Sequence, residues 1–596
     1  MHTRNINWTI VFIALNLILI NWILYSFMNL DYPMVGHDYH YFIPQILDII
    51  IYFLKNGATI QWYTPSFGGG VPAFPNPQFL QYSILEILSL WITPWHAIIV
   101  SSILYISVGF VASFRFFQKV LKLSPYASIL GAIFFSANGF ILQHIAVGHL
   151  GFQPFPTLAI ILLLFFDPAI PSGVAGVLLG IMVALIIYQA GFFIIVVFCL
   201  SSLLAFPLVY FFRFDMFSWK RISITFLAGA AIALLLSASK LSAVYSFMRF
   251  FPRFDTDVYL ITPARGIVGM ILQFLGTMSL VPLFLIARLD PNLLPNYFIN
   301  ITGALYGYWE FDMSMSPVVY VIILIGMNRF LHAPRNYLKK YITRNNWGAI
   351  LLFFCFAWLV VQFTLAHGRV YEQLQHLPIL SSLHVNARFA AAFLFPFAFL
   401  AAVIYDSWDG KWPEKKSVSM FLLINLLTLI PLVTYFMLKE DLQLRLYDVS
   451  TSAKIYADIR SGKDFEVTSI DYQVSNTQAL QAGVSNINFY EGIFGYAKEN
   501  FHPEIKTGSI WDISDGYFNM TNPSGYVFPE SNDTRPFERI KIQDREKLEA
   551  FANNRISEWK IPTYQKICNW ISVVVLGLVV LFLCGYVTRV ILRGRL

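Results

Sequence analysis

The chain has 596 residues, 57% of them hydrophobic and only 13% charged, with a formal net charge of +7. A soluble domain carries about one quarter charged residues, so a soluble globular protein is excluded and a multi-pass membrane protein is implied. Cys199, Cys355 and Cys584 fall inside apolar runs and Cys568 opens another, which argues against a disulfide framework.

Taken in order, the apolar run Trp8 to Met28 is long enough to span a bilayer, and no small-residue cleavage site follows it. It reads as a retained signal anchor, with Arg4 on the cytoplasmic side. Residues 29–94 form a long first outer loop. Within it, 40–55 reads as a helix lying along the interface, and 79–93, short, carrying Glu86 and closed by Pro94, as interfacial or re-entrant. Further spans are expected at 95–115, 124–143, 156–168, 172–188, 190–212, 222–243, 316–328, 347–366, 389–405, 417–437 and 567–588. The run 266–287 is read as re-entrant, because the next loop holds Arg329, Arg335, Lys339, Lys340 and Arg344, the strongest inside signal in the chain.

Residues 438–565 change character. They are polar, punctuated by Pro, Gly and Asn, and Val467, Ile470, Tyr472 and Val474 mix with polar residues as in a half-buried strand. The expected organisation is therefore a transmembrane module, 1–437, of about 11 spans on an apolar-length criterion. A small extracytoplasmic α/β domain, 438–565, follows, then a final helix and basic tail, 566–596, with both termini cytoplasmic. No repeat of fixed period and no inverted symmetry is evident, which disfavours a repeat-built transporter.

Chemistry centres on His37-Asp38-Tyr39-His40, just after the first span. A carboxylate within hydrogen-bond reach of an acceptor hydroxyl can serve as general base; the plain alternative is that Asp38 N-caps the following helix. Gly68-Gly69-Gly70-Val71-Pro72 and Pro75-Asn76-Pro77-Gln78 either let backbone approach a ligand or form a rigid turn. His144 and His149, five apart, can orient a phosphate, whereas a metal is not indicated without an acidic cluster beside them in sequence. Lys240, Arg249, Arg253, Arg265, Arg369 and Arg388 fall on the face that should be poor in cations, where they either snorkel or hold a lipid phosphate. Glu310 and Asp312 are rival acids or partners for those arginines, and Glu86 is a third acid near the membrane.

Four stretches together resemble the GT-C superfamily of polyprenyl-phosphate-sugar-dependent glycosyltransferases, in particular its bacterial YfhO-like members. They are Gly36-His37-Asp38-Tyr39, Gly69 to Gln78, the run from Leu377-Pro378 to Val385-Asn386-Ala387-Arg388-Phe389, and the polar C-terminal segment closed by a last span. The family's first arginine in the third stretch is His384 here. The resemblance implies a mainly α, multi-pass bundle with a small α/β extracytoplasmic domain in the bacterial inner membrane. It implies Asp38 as catalytic base, an inverting transfer, and a polyprenyl-phosphate-linked sugar as donor. The acceptor would be a glycan, lipid or protein, with membrane lipid around the chain and no nucleic acid as partner. Substrate contacts are then expected from His37, His40, Asn76, Gln78, His144, His149, Lys240, Arg249, Arg253, Glu310, Asp312 and Arg388. No cofactor is expected, metal use being variable in that superfamily. The competing expectations are a transporter or lipid flippase, and a non-catalytic assembly protein that binds through 438–565.

Overall fold

The computed structural model describes residues 8–28, 34–35, 38–250, 310, 312–332, 347–377, 380–383, 385–409, 413–437, 447–472, 475–488 and 504–592. Among these, seven helical stretches are long and apolar enough to cross a membrane, and four shorter apolar helices accompany them. The protein is a mainly helical, multi-pass membrane bundle with small sheets. The expected re-entrant run 266–287 lies outside the described residues.

The bundle opens with α1 (Trp8–Met28), α2 (Tyr39–Asn56), α3 (Ile84–Ser89), α4 (Pro94–Arg115), α5 (Pro125–Ser136) and α6 (Gly139–Val147). It continues with α7 (Leu158–Phe166), α8 (Ser172–Tyr188), α9 (Phe192–Phe212), α10 (Trp219–Leu236) and α11 (Ala238–Met248). Pro317–His332, Trp347–Leu365, Leu394–Asp409, Glu414–Met437 and Thr563–Leu592 complete it. Most of these helices follow the expected apolar runs to within a few residues, because hydropathy and length are local properties; the single span expected over 222–243 is divided at Ser237 into α10 and α11. The segment 79–93 contains only the six-residue α3, too short to cross; Ser83 caps it by accepting from the Glu86 backbone N–H at 3.1 Å.

Two further expectations need correction. The single span expected over 124–143 is broken at Ala137-Asn138. Asn138 caps α6 by accepting from Ile141 N–H at 3.0 Å, and Gly139 N–H donates to the Ser314 carbonyl at 2.8 Å. Backbone groups freed by the break are thus satisfied inside the protein, as burial demands. The second correction concerns α2, which does not lie along an interface. Its residues Tyr41 to Ile51 are all buried, including Asp48. Burial raises the Asp48 carboxyl, while Ser66 and Gln61, donating at 2.5 and 2.7 Å, oppose that shift and pin the following loop to the helix.

The C-terminal polar segment buries α2 together with α3, α4 and the first loop. The strand β1 (Met34–Val35) pairs antiparallel with β4 (Tyr447–Asp448), and the hairpin β2 (Tyr63–Thr64)–β3 (Val71–Pro72) sits beside it. In the C-terminal segment β5 (Ser469–Asp471) runs parallel to β6 (Val484–Asn486) and antiparallel to β7 (Gly508–Ser509). A second sheet has the order β10 (Arg539–Lys541), β9 (Tyr517–Thr521), β8 (Ile513–Ser514). The expected strand around Val467 is present as β5, with Val467 and Ile470 buried, while Val474 lies outside the described residues. Phe518, Tyr526 and Phe528 are core residues of this segment.

The glycine run joins the two parts. Gly68 N–H donates to the Asn486 carbonyl at 2.8 Å, Gly69 N–H to Ser485 Oγ at 3.0 Å, and Thr521 N–H to the Gly69 carbonyl at 2.9 Å. Gly70, at φ +104°, has no room for a side chain: a Cβ there would sit 3.0 Å from the Phe551 ring and 3.1 Å from the Thr521 carbonyl. The run is a tight turn, with Gly70 N–H donating to the Phe67 carbonyl at 2.9 Å, and it also joins the first loop to the C-terminal segment, a role the sequence reading did not include.

Candidate active site

Asp38 stands at the N-cap position of α2 but makes no side-chain cap bond. Its carboxylate turns instead to His149, whose Nε2 lies 2.9 Å from Asp38 Oδ2. Backbone bonds hold the two together: Asp38 N–H donates to the Val147 carbonyl at 3.1 Å, and the Tyr39 hydroxyl to the Ile145 carbonyl at 2.5 Å. Between them Gly148 ends α6 at φ +95°, where a Cβ would fall 2.8 Å from Tyr39 N. Gly148→Ala is therefore expected to cost about 1–3 kcal/mol through backbone strain and collision. A thermal melt reads this directly, and a variant that melts with the native protein would show that the α6–α2 junction is not tight.

Across His149 lies a second charge pair. His149 Nε2 is 3.9 Å from Glu310 Oε1, and Glu310 accepts two bonds from Arg388, from Nε and from Nη2, each at 2.5 Å. The guanidinium sits 4.9 Å above the Phe152 ring and 5.7 Å from that of Phe193, an arrangement favourable to a cation. The short turn Asn386–Phe393 aims Arg388: Asn386 Nδ2 donates to the Phe363 carbonyl at 2.9 Å and to the Tyr371 hydroxyl at 2.8 Å. Phe389 stacks on Phe193 at 4.6 Å, locking this turn against α9.

His144 completes the cluster, its ring 4.9 Å from that of His149. Its Nδ1 donates to the Phe140 carbonyl at 2.9 Å, which leaves Nε2 as the bare nitrogen, buried and with no hydrogen-bond partner among the described residues. His144, His149 and Glu310 offer three donor atoms within 4.8 Å of one another. The acidic neighbour that the sequence around the histidines lacks is thus supplied by the fold. A divalent cation there would compete with the Arg388 guanidinium for Glu310.

Asp312 lies just behind, next to Gln143 and Ser314, its Oδ1 accepting from Ser314 N–H at 2.9 Å. Burial lifts its carboxyl to about 6, with Ser314 and Gln143 acting the other way. A carboxyl raised above its unfolded value near ~4 favours the fold while protonated. That contribution is present below pH ~4 and lost as the pH rises through about 6. Asp312→Asn should therefore melt a few degrees above the native protein near pH 7.5 and together with it near pH 4. Coincident melts at both values would contradict this.

The structure brings together Asp38, His144, His149, Glu310 and Arg388, with Asp312 adjacent. It places other expected contacts elsewhere. Lys240 is fully buried and donates to the carbonyls of Phe74, Asn76 and Phe79 at 2.7, 2.8 and 3.2 Å, so it clamps the first loop and does not face a phosphate. Asn76 donates to the Tyr41 hydroxyl at 3.0 Å and accepts from Gln78 N–H at 2.8 Å; both residues shape that loop. Arg249 reaches Glu530 of the C-terminal segment at 2.9 Å, and Arg369 is exposed. His40 sits on the first turn of α2, its carbonyl accepting from Asn476 at 3.3 Å. Glu86 folds back on its own turn, bonded to the Tyr82 backbone N–H. His37, Arg253, Arg265 and His384 lie outside the described residues. Phe152 and Phe193 were not singled out in the sequence, where nothing distinguishes them from other aromatics.

No family model and no curated protein matches the sequence. Solved structures similar to it include arabinofuranosyltransferase AftD from mycobacteria, at 12% identity and a TM-score of 0.36, covering 80% of this chain and 31% of that one. They also include the archaeal oligosaccharyltransferase AglB from Archaeoglobus fulgidus, solved with an inhibitory peptide and a dolichol-phosphate. That match has 16% identity and a TM-score of 0.38, and covers 73% of this chain and 56% of the other. The chain spans 31% and 56% of the lengths of these two proteins. It is a multi-pass, mainly helical membrane protein with two glycosyltransferases among the solved structures it is similar to.

Proposed function

We propose that the protein is a GT-C-type membrane glycosyltransferase. It moves a sugar from a polyprenyl-phosphate-linked donor to an acceptor glycan, lipid or protein at the outer face of the bacterial inner membrane, with inversion. Both termini are then cytoplasmic and 438–565 is extracytoplasmic. One observation carries the reading: an acid at a helix start leaves its capping role to join His149, and that histidine also borders a buried carboxylate–guanidinium pair.

Asp38 is the general base. It takes the proton of the acceptor hydroxyl as that oxygen attacks the anomeric carbon, and the bond from that carbon to the phosphate oxygen breaks. Base and leaving group stand on opposite faces of the sugar, which gives inversion. His149 donates to the carboxylate and fixes its direction. Arg388 receives the negative charge of the departing phosphate; two of its nitrogens bond Glu310, and Nη1 remains to meet the phosphate. Phe152 and Phe193 keep that guanidinium in place.

The test is transfer of labelled sugar from a polyprenyl-phosphate donor by the purified full-length chain in vesicles supplied with envelope glycans, lipids or proteins. Labelled product that depends on Asp38 supports the reading. Donor that crosses the bilayer without any product would establish the flippase alternative in its place.

A further inference from the structure

One large cavity lies away from the Asp38 cluster. It has a volume of about 970 Å³ and opens beside Tyr52, at the far end of α2. Fourteen residues of helix separate Tyr52 from Asp38, or about 21 Å at the helical rise. The two sites are thus held apart by one rigid element.

The cavity has an apolar end and a polar end. Its apolar walls are α8, through Ala184, and the final helix Thr563–Leu592, through Leu576 and Val580. On that helix only Gln565 and Val579 are buried; Leu576 is 56% and Val580 51% exposed. At the other end Tyr63 meets Trp559 edge-on at 5.0 Å, and Asn554 and Arg555 line the rim. Three polar features there are unmatched. The Tyr63 hydroxyl and Asn554 Oδ1 are buried with no hydrogen-bond partner, although the residues are only 7% and 3% exposed. Arg555, exposed at the rim, makes no ion pair among the described residues; Asp464, whose carboxyl it helps to lower, is bonded to Lys55 at 2.5 Å. Orphaned buried polar groups call for an explanation, and their position beside a hydrocarbon-lined slot points to an amphiphile with an anionic head.

We propose that this cavity binds an anionic glycerophospholipid as a resident lipid, separate from the reacting donor. One acyl chain lies between α8 and the final helix. The phosphate meets Arg555, an ester carbonyl accepts from the Tyr63 hydroxyl, and a head-group hydroxyl donates to Asn554 Oδ1. A glycerol-headed phospholipid carries all three of these groups. A lipid-linked sugar held here would keep its anomeric carbon far from Asp38, since the two sites lie at opposite ends of α2. The site therefore stands independently of the glycosyltransferase reading, and fits a lipid that braces the final helix against the C-terminal segment.

The full-length chain, delipidated in mild detergent, is titrated with phosphatidylglycerol or phosphatidylcholine and read by native mass spectrometry. Phosphatidylglycerol should bind as a single retained copy, at least about tenfold more tightly than phosphatidylcholine. Ala184→Trp, which fills the slot, should abolish retention. Arg555→Gln, at an exposed rim position that the fold tolerates, should level the preference between the two lipids; it keeps the proposal testable if Ala184→Trp misfolds. Undiminished retention in a folded Ala184→Trp protein, or an unchanged preference in Arg555→Gln, would overturn the proposal. So would displacement of the bound lipid by a polyprenyl-phosphate sugar at equal concentration, which would make the cavity a donor site.

Discussion

Asp38→Asn should lower the turnover of sugar transfer by about 10²–10⁴-fold, the range expected when a positioned general base is removed. Asparagine keeps the shape of the side chain and can still meet His149 Nε2 in its other tautomer, so the α2–α6 junction survives. Its amide cannot take up the acceptor proton. Donor affinity and melting temperature should therefore change little while turnover collapses. Full turnover in this variant would remove Asp38 from the chemistry and, with it, the glycosyltransferase proposal, whatever the rest of the cluster does.

The second large effect concerns Glu310 and Arg388, whose side chains are only 5% and 15% exposed. Removing one partner strands the other charge in a poorly solvated place, which typically costs about 3–5 kcal/mol. Glu310→Gln and Arg388→Met should each lower the melting temperature markedly. The double variant Glu310→Met with Arg388→Met should regain most of that loss, because an apolar pair of similar volume replaces a desolvated ion pair. Stability and function then separate: the double variant should be well folded yet bind the phosphate donor poorly, having no guanidinium to receive it. If it transfers sugar as the native chain does, Arg388 is only a structural partner of Glu310. If the single variants melt normally, the pair is better hydrated than its burial implies.

The acid, histidines and arginine that converge were all visible as residues of the right type near expected span ends. Their convergence was not. Arg388 and Glu310 are 78 positions apart, and His149 lies in the turn that follows α6. The break at Ala137-Asn138, which the apolar run conceals, sets the direction of α6 and hence the place of both histidines. Lys240 and Arg388 belonged to one class in the sequence, cations at the ends of spans. Whether such a cation meets three backbone carbonyls or a carboxylate depends on which distant segment packs against it. The glycine run shows the same limit from the other side, since backbone freedom suits a ligand cradle and a joint equally well.

By itself the sequence determined that the chain is helical, apolar and multi-pass, where most of its apolar runs lie, and that a polar segment precedes the last one. Those properties follow from hydropathy, length and breaker residues, each a matter of a few consecutive positions. Only the tertiary structure decided that α2 is buried against the C-terminal segment, that Asp38 abandons its cap for His149, and which one of the described cations pairs with Glu310 beside that histidine. These outcomes rest on long-range contacts, where desolvation forces each buried polar group to find whatever partner the packing brings near.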